Sequence, residues 1–249
     1  MCGIVGGTSE RNILPILVEG LRRLEYRGYD SAGIAFKKNG TISITKNKGR
    51  VEQLAKKLNL KENQSNLGIA HTRWATHGIP SEKNAHPHAS KNIFVVHNGI
   101  IENHNELKAQ LRAEGIRFST QTDTEVLLHG YQKWGDNLWK KTKGMFSVAI
   151  YDKKKEEIKL IRDHAGIKPL HYLIKNNKIY FASDLKSFFF IKNIKPEIRK
   201  ESILSYLSFR YVLGENTFYK NIKDIMPAQI LTFKKNILNK SFYWSLKNN

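Results

Sequence analysis

The 249-residue sequence predicts an α+β protein in which antiparallel β-sheets carry helices on their outer faces. Short apolar segments follow one another in hairpin order, and Asn39–Gly40 and Asn176–Asn177 provide tight turns between two pairs of them. The helical patterns lie in separate stretches and do not alternate with single strands, which is typical of antiparallel sheets. Neither a glycine-rich dinucleotide fingerprint nor a Walker A phosphate loop follows a predicted strand.

Hydrophobic spacing predicts the individual elements in chain order. Apolar residues near a 3.6-residue period predict a helix over 12–24, where Ile13, Leu17 and Leu21 share one face. Further helices are predicted at 103–114, 123–134 and 200–210. Strands are predicted at 4–7, 32–36, 41–44, 67–71, 93–97, 145–151, 158–162, 171–174, 179–182 and 228–233. No repeat or low-complexity linker interrupts the chain, so residues 1–249 are predicted to form a single domain.

The composition excludes several classes of function. Lys and Arg total 42 against 22 Asp and Glu, a net charge of +20, but the lysines are scattered and no RNA-recognition or zinc-finger pattern occurs. We therefore expect a lysine-rich surface and no specific nucleic-acid partner. No apolar run could cross a bilayer and no signal-peptide pattern occurs, so no membrane association and a cytoplasmic location are expected. One cysteine excludes an intramolecular disulfide, and the nine histidines lack a regular ligand spacing, so neither a metal nor a cofactor is expected.

Cys2 lies directly after Met1, and this position allows two interpretations. A lone cysteine is commonly a small buried apolar residue. If Met1 is removed, however, Cys2 carries a free α-amino group with a pKa of about 8, close to its own sulfur. One residue then supplies both the nucleophile and the general base. Gly3 would let a substrate approach without a clash against a Cβ atom.

Four further residues provide the polar groups that attack on an amino-acid amide requires. The Asn98 side chain and the Gly99 backbone N–H can donate to a developing oxyanion, although Asn-Gly is also a common hairpin turn. Arg73 can bind a carboxylate through two hydrogen bonds. Asp123 can accept from an α-ammonium group, or alternatively Thr122 or Asp123 caps the helix that follows.

Four motifs in chain order resemble those of the class II glutamine amidotransferases, which are glutaminase domains of the N-terminal nucleophile type. They are MCGIVG (1–6), HTRWATHG (71–78), HNGIIEN (97–103) and TDTEV (122–126). The resemblance extends over essentially the whole chain. It implies a four-layer α/β/β/α sandwich of two antiparallel sheets, in agreement with the fold class predicted from the hydrophobic pattern.

The resemblance also implies the central catalytic and binding roles. Cys2 is the nucleophile and its α-amine the base, and Asn98 and Gly99 form the oxyanion hole. Arg73 holds the α-carboxylate of L-glutamine, and Asp123 holds its α-ammonium group.

Five more residues match family positions around the site. Thr76 and His77 resemble the loop that closes over glutamine, and Trp74 resembles a gate residue that helps to direct ammonia. Arg27 and His86 match positions near the site and are expected there without a specific role.

The acceptor of the ammonia is predicted less directly, because the two halves of the chain resemble different families. Residues 24–33 and 71–78 resemble glucosamine-6-phosphate synthase, whereas 162–172 and 207–222 resemble asparagine synthetase. Residues 207–249 resemble the segment that leads into a synthetase domain. We expect a glutaminase that supplies ammonia to a separate synthetase or acceptor subunit, with an asparagine-synthetase-like acceptor preferred. The alternatives are the glutaminase part of glucosamine-6-phosphate synthase and a catalytically silent basic binding protein of the same fold.

Overall fold

Two antiparallel β-sheets pack face to face, and helices cover the outer surface of each. The computed structural model describes residues 2–191 and 194–246. The strands are β1 Gly3–Thr8, β2 Ser31–Lys38, β3 Thr41–Lys48, β4 Leu67–Arg73, β5 His88–Ser90, β6 Ile93–Ile101, β7 Gly144–Asp152, β8 Glu157–Arg162, β9 His171–Lys175, β10 Lys178–Ala182, β11 Lys223–Asp224, β12 Gln229–Lys234 and β13 Ile237–Phe242. The helices are α1 Leu14–Leu24, α2 Val51–Leu58, α3 His104–Ala113, α4 Thr124–Trp134, α5 Leu138–Lys141 and α6 Lys200–Phe209.

One sheet has seven strands in the order β11-β9-β10-β1-β4-β2-β3, and the other has six in the order β13-β12-β8-β7-β6-β5. Each neighbouring pair is antiparallel. Three buried apolar clusters separate the layers. The first lies between α1, α2 and the seven-stranded sheet, the second between α3, α4, α5 and the six-stranded sheet, and the third between the two sheets. The predicted α+β class and four-layer sandwich are confirmed.

The hairpins explain why the sequence pattern predicted most strands correctly. Asn39–Gly40 has φ values of 48° and 74°, and Asn176–Asn177 has 49° and 56°. Two successive positive φ values are what a two-residue turn between twisted antiparallel strands requires. Lys235–Asn236 forms a third such turn, with 48° and 65°, between β12 and β13.

The prediction missed α2, α5, β5, β11 and β13. Helix α2 has eight residues and buries only Val51, Leu54 and Leu58, so its apolar pattern is short. Strand β13 lies at a sheet edge, and five of its six residues are exposed. It therefore lacks the alternation of apolar and polar residues that indicates a half-buried strand.

The strands bring one set of side chains to a single end of the sandwich. Residues of the core between the sheets include Ile4 on β1, Ile69 on β4 and Val96 on β6. Because successive side chains alternate between the faces of a sheet, residues an even number of positions before or after these three also face the space between the sheets. Those residues include Cys2, Arg73 and Asn98.

Candidate active site

Cys2 lies directly before β1 and is buried. The residue is only 8% exposed. Its Sγ accepts a hydrogen bond from the Trp74 backbone N–H at 3.4 Å and lies 3.6 Å from the Trp74 carbonyl oxygen. Burial raises the pKa of the Cys2 thiol, and the Trp74 hydrogen bond offsets this only in part. The thiol is therefore protonated at neutral pH, and a base must take its proton before it can act as a nucleophile.

Arg73, the last residue of β4, provides a buried positive charge next to Cys2. Its guanidinium donates to the carbonyl oxygens of His77, Gly78 (3.0 Å) and Ile79 (3.4 Å). Within residues 2–191 and 194–246, no carboxylate forms a salt bridge with Arg73. The guanidinium thus holds the chain after β4 in place and keeps a charge available for an anionic ligand.

Asp123, directly before α4, provides a buried negative charge. Its Oδ2 accepts a hydrogen bond from the Ile101 backbone N–H at 2.9 Å and lies 3.9 Å from Nδ1 of His77. Although Asp123 precedes α4, its side chain makes no capping hydrogen bond. The Thr122 hydroxyl instead lies 3.0 Å from the Thr120 hydroxyl and 3.3 Å from Nε2 of His88 on β5. The helix-capping alternative for these two residues is therefore wrong, and the Asp123 carboxylate can accept from a ligand.

Asn98 and Gly99 lie inside β6, so the hairpin-turn alternative is also wrong. Asn98 is 1% exposed, and its Nδ2 has no hydrogen-bond partner among the described residues. A buried amide donor without a partner is costly unless a ligand or water occupies the position in front of it. This amide is consequently a donor that is available to a ligand or a water molecule.

The strand register leaves the Gly99 N–H free of the β6–β7 ladder. Gly99 lies opposite Phe146, whose backbone N–H and C=O both bond to Asp163, at 3.1 and 2.8 Å. Gly99 and Phe146 therefore form a non-hydrogen-bonded pair, and the Gly99 N–H points away from β7. A Cβ atom at Gly99 would lie 2.0 Å from the Met145 carbonyl oxygen, with a φ of 146°. Glycine is required there, and its N–H points past the end of the short strand β5.

A small cavity joins Cys2, Arg73, Asp123 and Gly99. It is lined by Cys2, Arg73, Trp74, Thr76, His86, His97, Gly99, Thr122, Asp123 and Thr124. Its volume is about 10 Å³, which is room for about one water molecule. A ligand as large as an amino acid therefore needs more room than this cavity provides.

The segment after β4 contains three predicted residues, Trp74, Thr76 and His77. Trp74 is 47% exposed, and its ring packs edge-on against Tyr29 at 5.6 Å between centroids. Thr76 lines the cavity, and His77 approaches Asp123 as described above. The Asp30 carboxylate accepts a hydrogen bond from the Ala75 backbone N–H and so fastens the middle of the segment.

Of the two remaining predicted residues, one lies at the cavity and the other does not. His86 is buried at the cavity, 2.9 Å from the Thr124 hydroxyl. Arg27 pairs with Asp184 at 3.5 Å and donates to the Tyr26 hydroxyl, and it does not line the cavity. The sequence reasoning assigned no role to the cavity residues His97 and Thr124, although both lie within recognised motifs.

A comparison of the sequence with protein-family models shows the family of this chain. A family model described as a glutamine amidotransferase domain matches residues 58–244. The chain belongs to the class II glutamine amidotransferases. The resemblance inferred from the four motifs is therefore confirmed.

The similar relatives of this amidotransferase domain are named glutamine–fructose-6-phosphate aminotransferase (isomerizing). The protein from Shewanella oneidensis is 49% identical over 168 residues, which is 63% of this chain and 28% of that protein. The protein from Francisella tularensis is 44% identical over 205 residues (78% and 33%), and that from Clostridium tetani is 39% identical over 235 residues (90% and 36%). The chain thus spans about a third of the length of these relatives. They favour the glucosamine-6-phosphate synthase alternative over the preferred asparagine-synthetase-like acceptor.

Solved structures support the fold of this amidotransferase domain. Glutamine phosphoribosylpyrophosphate amidotransferase from B. subtilis superposes with a TM-score of 0.78 at 22% identity, covering 99% of this chain and 50% of that one. A class II glutamine aminotransferase domain protein from Silicibacter pomeroyi gives 0.60 at 10% identity, covering 98% of this chain and all of that one. Among the described residues, no helix has the length and apolarity to cross a membrane, and no group of three or more His, Cys, Asp or Glu side chains could hold a metal ion.

Proposed function

We propose that this domain hydrolyses the side-chain amide of L-glutamine through a thioester on Cys2. We further propose that the ammonia passes to an acceptor site of the glutamine–fructose-6-phosphate aminotransferase type. One observation supports the first part: the buried Cys2 thiol shares a small cavity with the opposite charges of Arg73 and Asp123 and with Gly99, and the Nδ2 of the adjacent Asn98 has no partner among the described residues. The two charges suit the α-carboxylate and α-ammonium groups of an amino acid whose side-chain carbonyl faces the thiol.

The two charges set the orientation of glutamine. The α-carboxylate binds the Arg73 guanidinium, and the α-ammonium group binds the Asp123 carboxylate. Both residues are at most 4% exposed, so solvent screens these contacts weakly. With the amino-acid end fixed, the side-chain amide extends toward Cys2.

The first chemical step forms the thioester. Removal of Met1 gives Cys2 a free α-amine, which takes the thiol proton as the sulfur attacks the amide carbon. The carbonyl oxygen gains a negative charge, to which Asn98 Nδ2 and the Gly99 N–H donate. The C–N bond then breaks, and ammonia leaves with the proton held by the α-ammonium group.

The second step releases glutamate. The same α-amine accepts a proton from a water molecule, whose oxygen attacks the thioester carbon. The C–S bond breaks, the sulfur recovers a proton, and the cycle returns to the free thiol. The thioester thus divides a difficult amide hydrolysis into two easier reactions.

The acceptor part of the proposal is supported by the relatives. Those at 39–49% identity are aminotransferases named for fructose 6-phosphate, and the matched region covers only 28–36% of each. The acceptor site accordingly belongs to a further domain or a separate subunit. The asparagine-synthetase-like segments at 162–172 and 207–222 support aspartate as the second candidate acceptor.

The glutaminase is tested with a diazo ketone analogue of glutamine and intact-mass measurement. We expect one adduct on a chain that lacks Met1 and no adduct on Cys2→Ala. A chain that keeps Met1 and takes no adduct would contradict the mechanism and favour a silent binding protein. For the acceptor, the native complex is supplied with glutamine and either fructose 6-phosphate or aspartate with ATP. Amino-sugar formation supports the proposal, and asparagine formation overturns its acceptor part.

A further inference from the structure

Four buried side chains join the elements that carry the site. They are His71 on β4, His86 in the segment after β4, His97 on β6 and Thr124 at the start of α4. Their residues are 0–4% exposed. His71 Nε2 lies 2.8 Å from the His97 carbonyl oxygen, and His86 Nδ1 lies 3.0 Å from both ring nitrogens of His71. The Thr124 hydroxyl lies 2.9 Å from His86 Nε2 and 3.0 Å from His97 Nδ1.

Burial lowers the pKa of His71, His86 and His97 below the ordinary histidine value, so all three rings are neutral at pH 7. A neutral imidazole has one N–H donor and one acceptor nitrogen. The group has four protons, one on each imidazole and one on the Thr124 hydroxyl, and we assign them so that each N–H or O–H has its own acceptor.

The assignment begins at a carbonyl oxygen, which can only accept. His71 therefore donates from Nε2 to His97 O, which leaves its Nδ1 as an acceptor for the Nδ1–H of His86. His86 Nε2 is then an acceptor and receives the single hydroxyl proton of Thr124. The Thr124 oxygen must consequently accept the Nδ1–H of His97. The chain ends at His97 Nε2, a bare acceptor with no partner among the described residues.

We propose that this hydrogen-bonded chain is a positioning device that presents the bare Nε2 of His97 to the α-ammonium group of glutamine, beside Asp123. The proposal rests on the glutaminase function proposed above. His97, Thr124 and Asp123 line the same cavity. An ammonium group has three N–H donors. The Asp123 carboxylate accepts from one of them, and His97 Nε2 accepts from a second. The other tautomer of His97 would instead direct an N–H at a cation.

Thr124 is the positioning residue in this scheme, because its hydroxyl forces His97 to carry its proton on Nδ1. Thr124→Val preserves the shape of the side chain but removes the hydroxyl, whereas Thr124→Ser keeps it and is the matched control. In Thr124→Val we expect the KM for glutamine to rise about tenfold with little change in kcat, the loss of one hydrogen bond to a charged group. Thr124→Ser should behave as the wild type.

A second substrate separates this role from a general loss of structure. Glutaramate is glutamine without its α-amino group, so its hydrolysis does not use the ammonium subsite. Thr124→Val should leave the KM for glutaramate unchanged. An equal rise for both substrates would overturn the proposal, because it would show a structural defect.

The tautomers are read directly from the wild-type protein by ¹⁵N NMR of labelled histidine, whether or not the variant folds. We expect His71 protonated on Nε2, and His86 and His97 protonated on Nδ1. A proton on His97 Nε2 would overturn the proposal. A wild-type protein that has the expected tautomers but does not hydrolyse glutamine would contradict the proposed function. It would also contradict the role of His97 as an acceptor for the ammonium group, but not the assigned chain of hydrogen bonds.

Discussion

Replacing Asn98 with alanine tests the proposed oxyanion hole. The Asn98 Nδ2 donates to no described residue, so its removal breaks no hydrogen bond of the resting fold through that atom. The amide matters only when the carbonyl oxygen becomes negative. One such donor contributes about 10²–10³ in kcat, or about 2.7–4 kcal/mol. We therefore expect Asn98→Ala to lower kcat for glutamine hydrolysis by that factor, with a much smaller change in KM.

The assay follows glutamate release under steady-state conditions, with thermal unfolding measured on the same samples. Ser147→Ala is the matched control. Ser147 lies opposite Asn98 on the neighbouring strand, is fully buried, and has a hydroxyl without a described partner, but it has no assigned role. It should retain near wild-type kcat. An Asn98→Ala protein that is as active as the control would refute the assignment of the oxyanion hole.

Three further predictions concern other parts of the site. Asp123→Asn should raise the KM for glutamine about 10–100-fold, because the ammonium group loses its charged partner. Gly99→Ala should lower the thermal unfolding temperature and activity together, since the new Cβ would meet the Met145 carbonyl oxygen at 2.0 Å. Burial opposes the ionisation of Glu125, but hydrogen bonds from His129 and neighbouring residues outweigh it and lower the pKa of Glu125. That stabilisation is present above about pH 4.5 and is lost as the pH falls. Glu125→Gln should therefore destabilise the fold at pH 7 and less so at pH 3, as measured by urea unfolding.

Each of these has its own control. The KM of glutaramate should not respond to Asp123→Asn, and a parallel rise would contradict the ammonium role. Gly115 has a φ of 82° with nothing within 4 Å of a new Cβ, so Gly115→Ala should be the milder change, and equal losses would contradict the clash at Gly99. A Glu125→Gln destabilisation that does not depend on pH would show that charge is not its cause.

The sequence predicted the fold class and the principal polar groups because both depend on local patterns. Turn residues with positive φ marked the hairpins, and the strands β4 and β6 placed Arg73 and Asn98 at a common end. Edge strand β13 escaped prediction because pairing on one side leaves it little to bury. Whether Asn98–Gly99 forms a turn or lies within a strand also depended on pairing with β7, which is a long-range contact.

The hydrogen-bond directions in the histidine group could not be predicted either. They depend on distances between residues up to 38 positions apart, such as His86 and Thr124. Arg27 shows the opposite limitation. Its position in the motif predicted that it lies at the site. Asp184, which is distant in sequence but close in space, instead pairs with it outside the cavity.

The contacts of Arg73 bear on how the domain admits its ligand. Backbone carbonyls of His77, Gly78 and Ile79 occupy the N–H groups that a carboxylate would also seek. An ionised carboxylate forms stronger hydrogen bonds than a neutral carbonyl, so it can compete for the guanidinium where an uncharged molecule cannot. Opening the cavity and checking the incoming molecule are then one event. If Arg73 binds the carboxylate as proposed, a compound without that group would leave these carbonyl contacts intact.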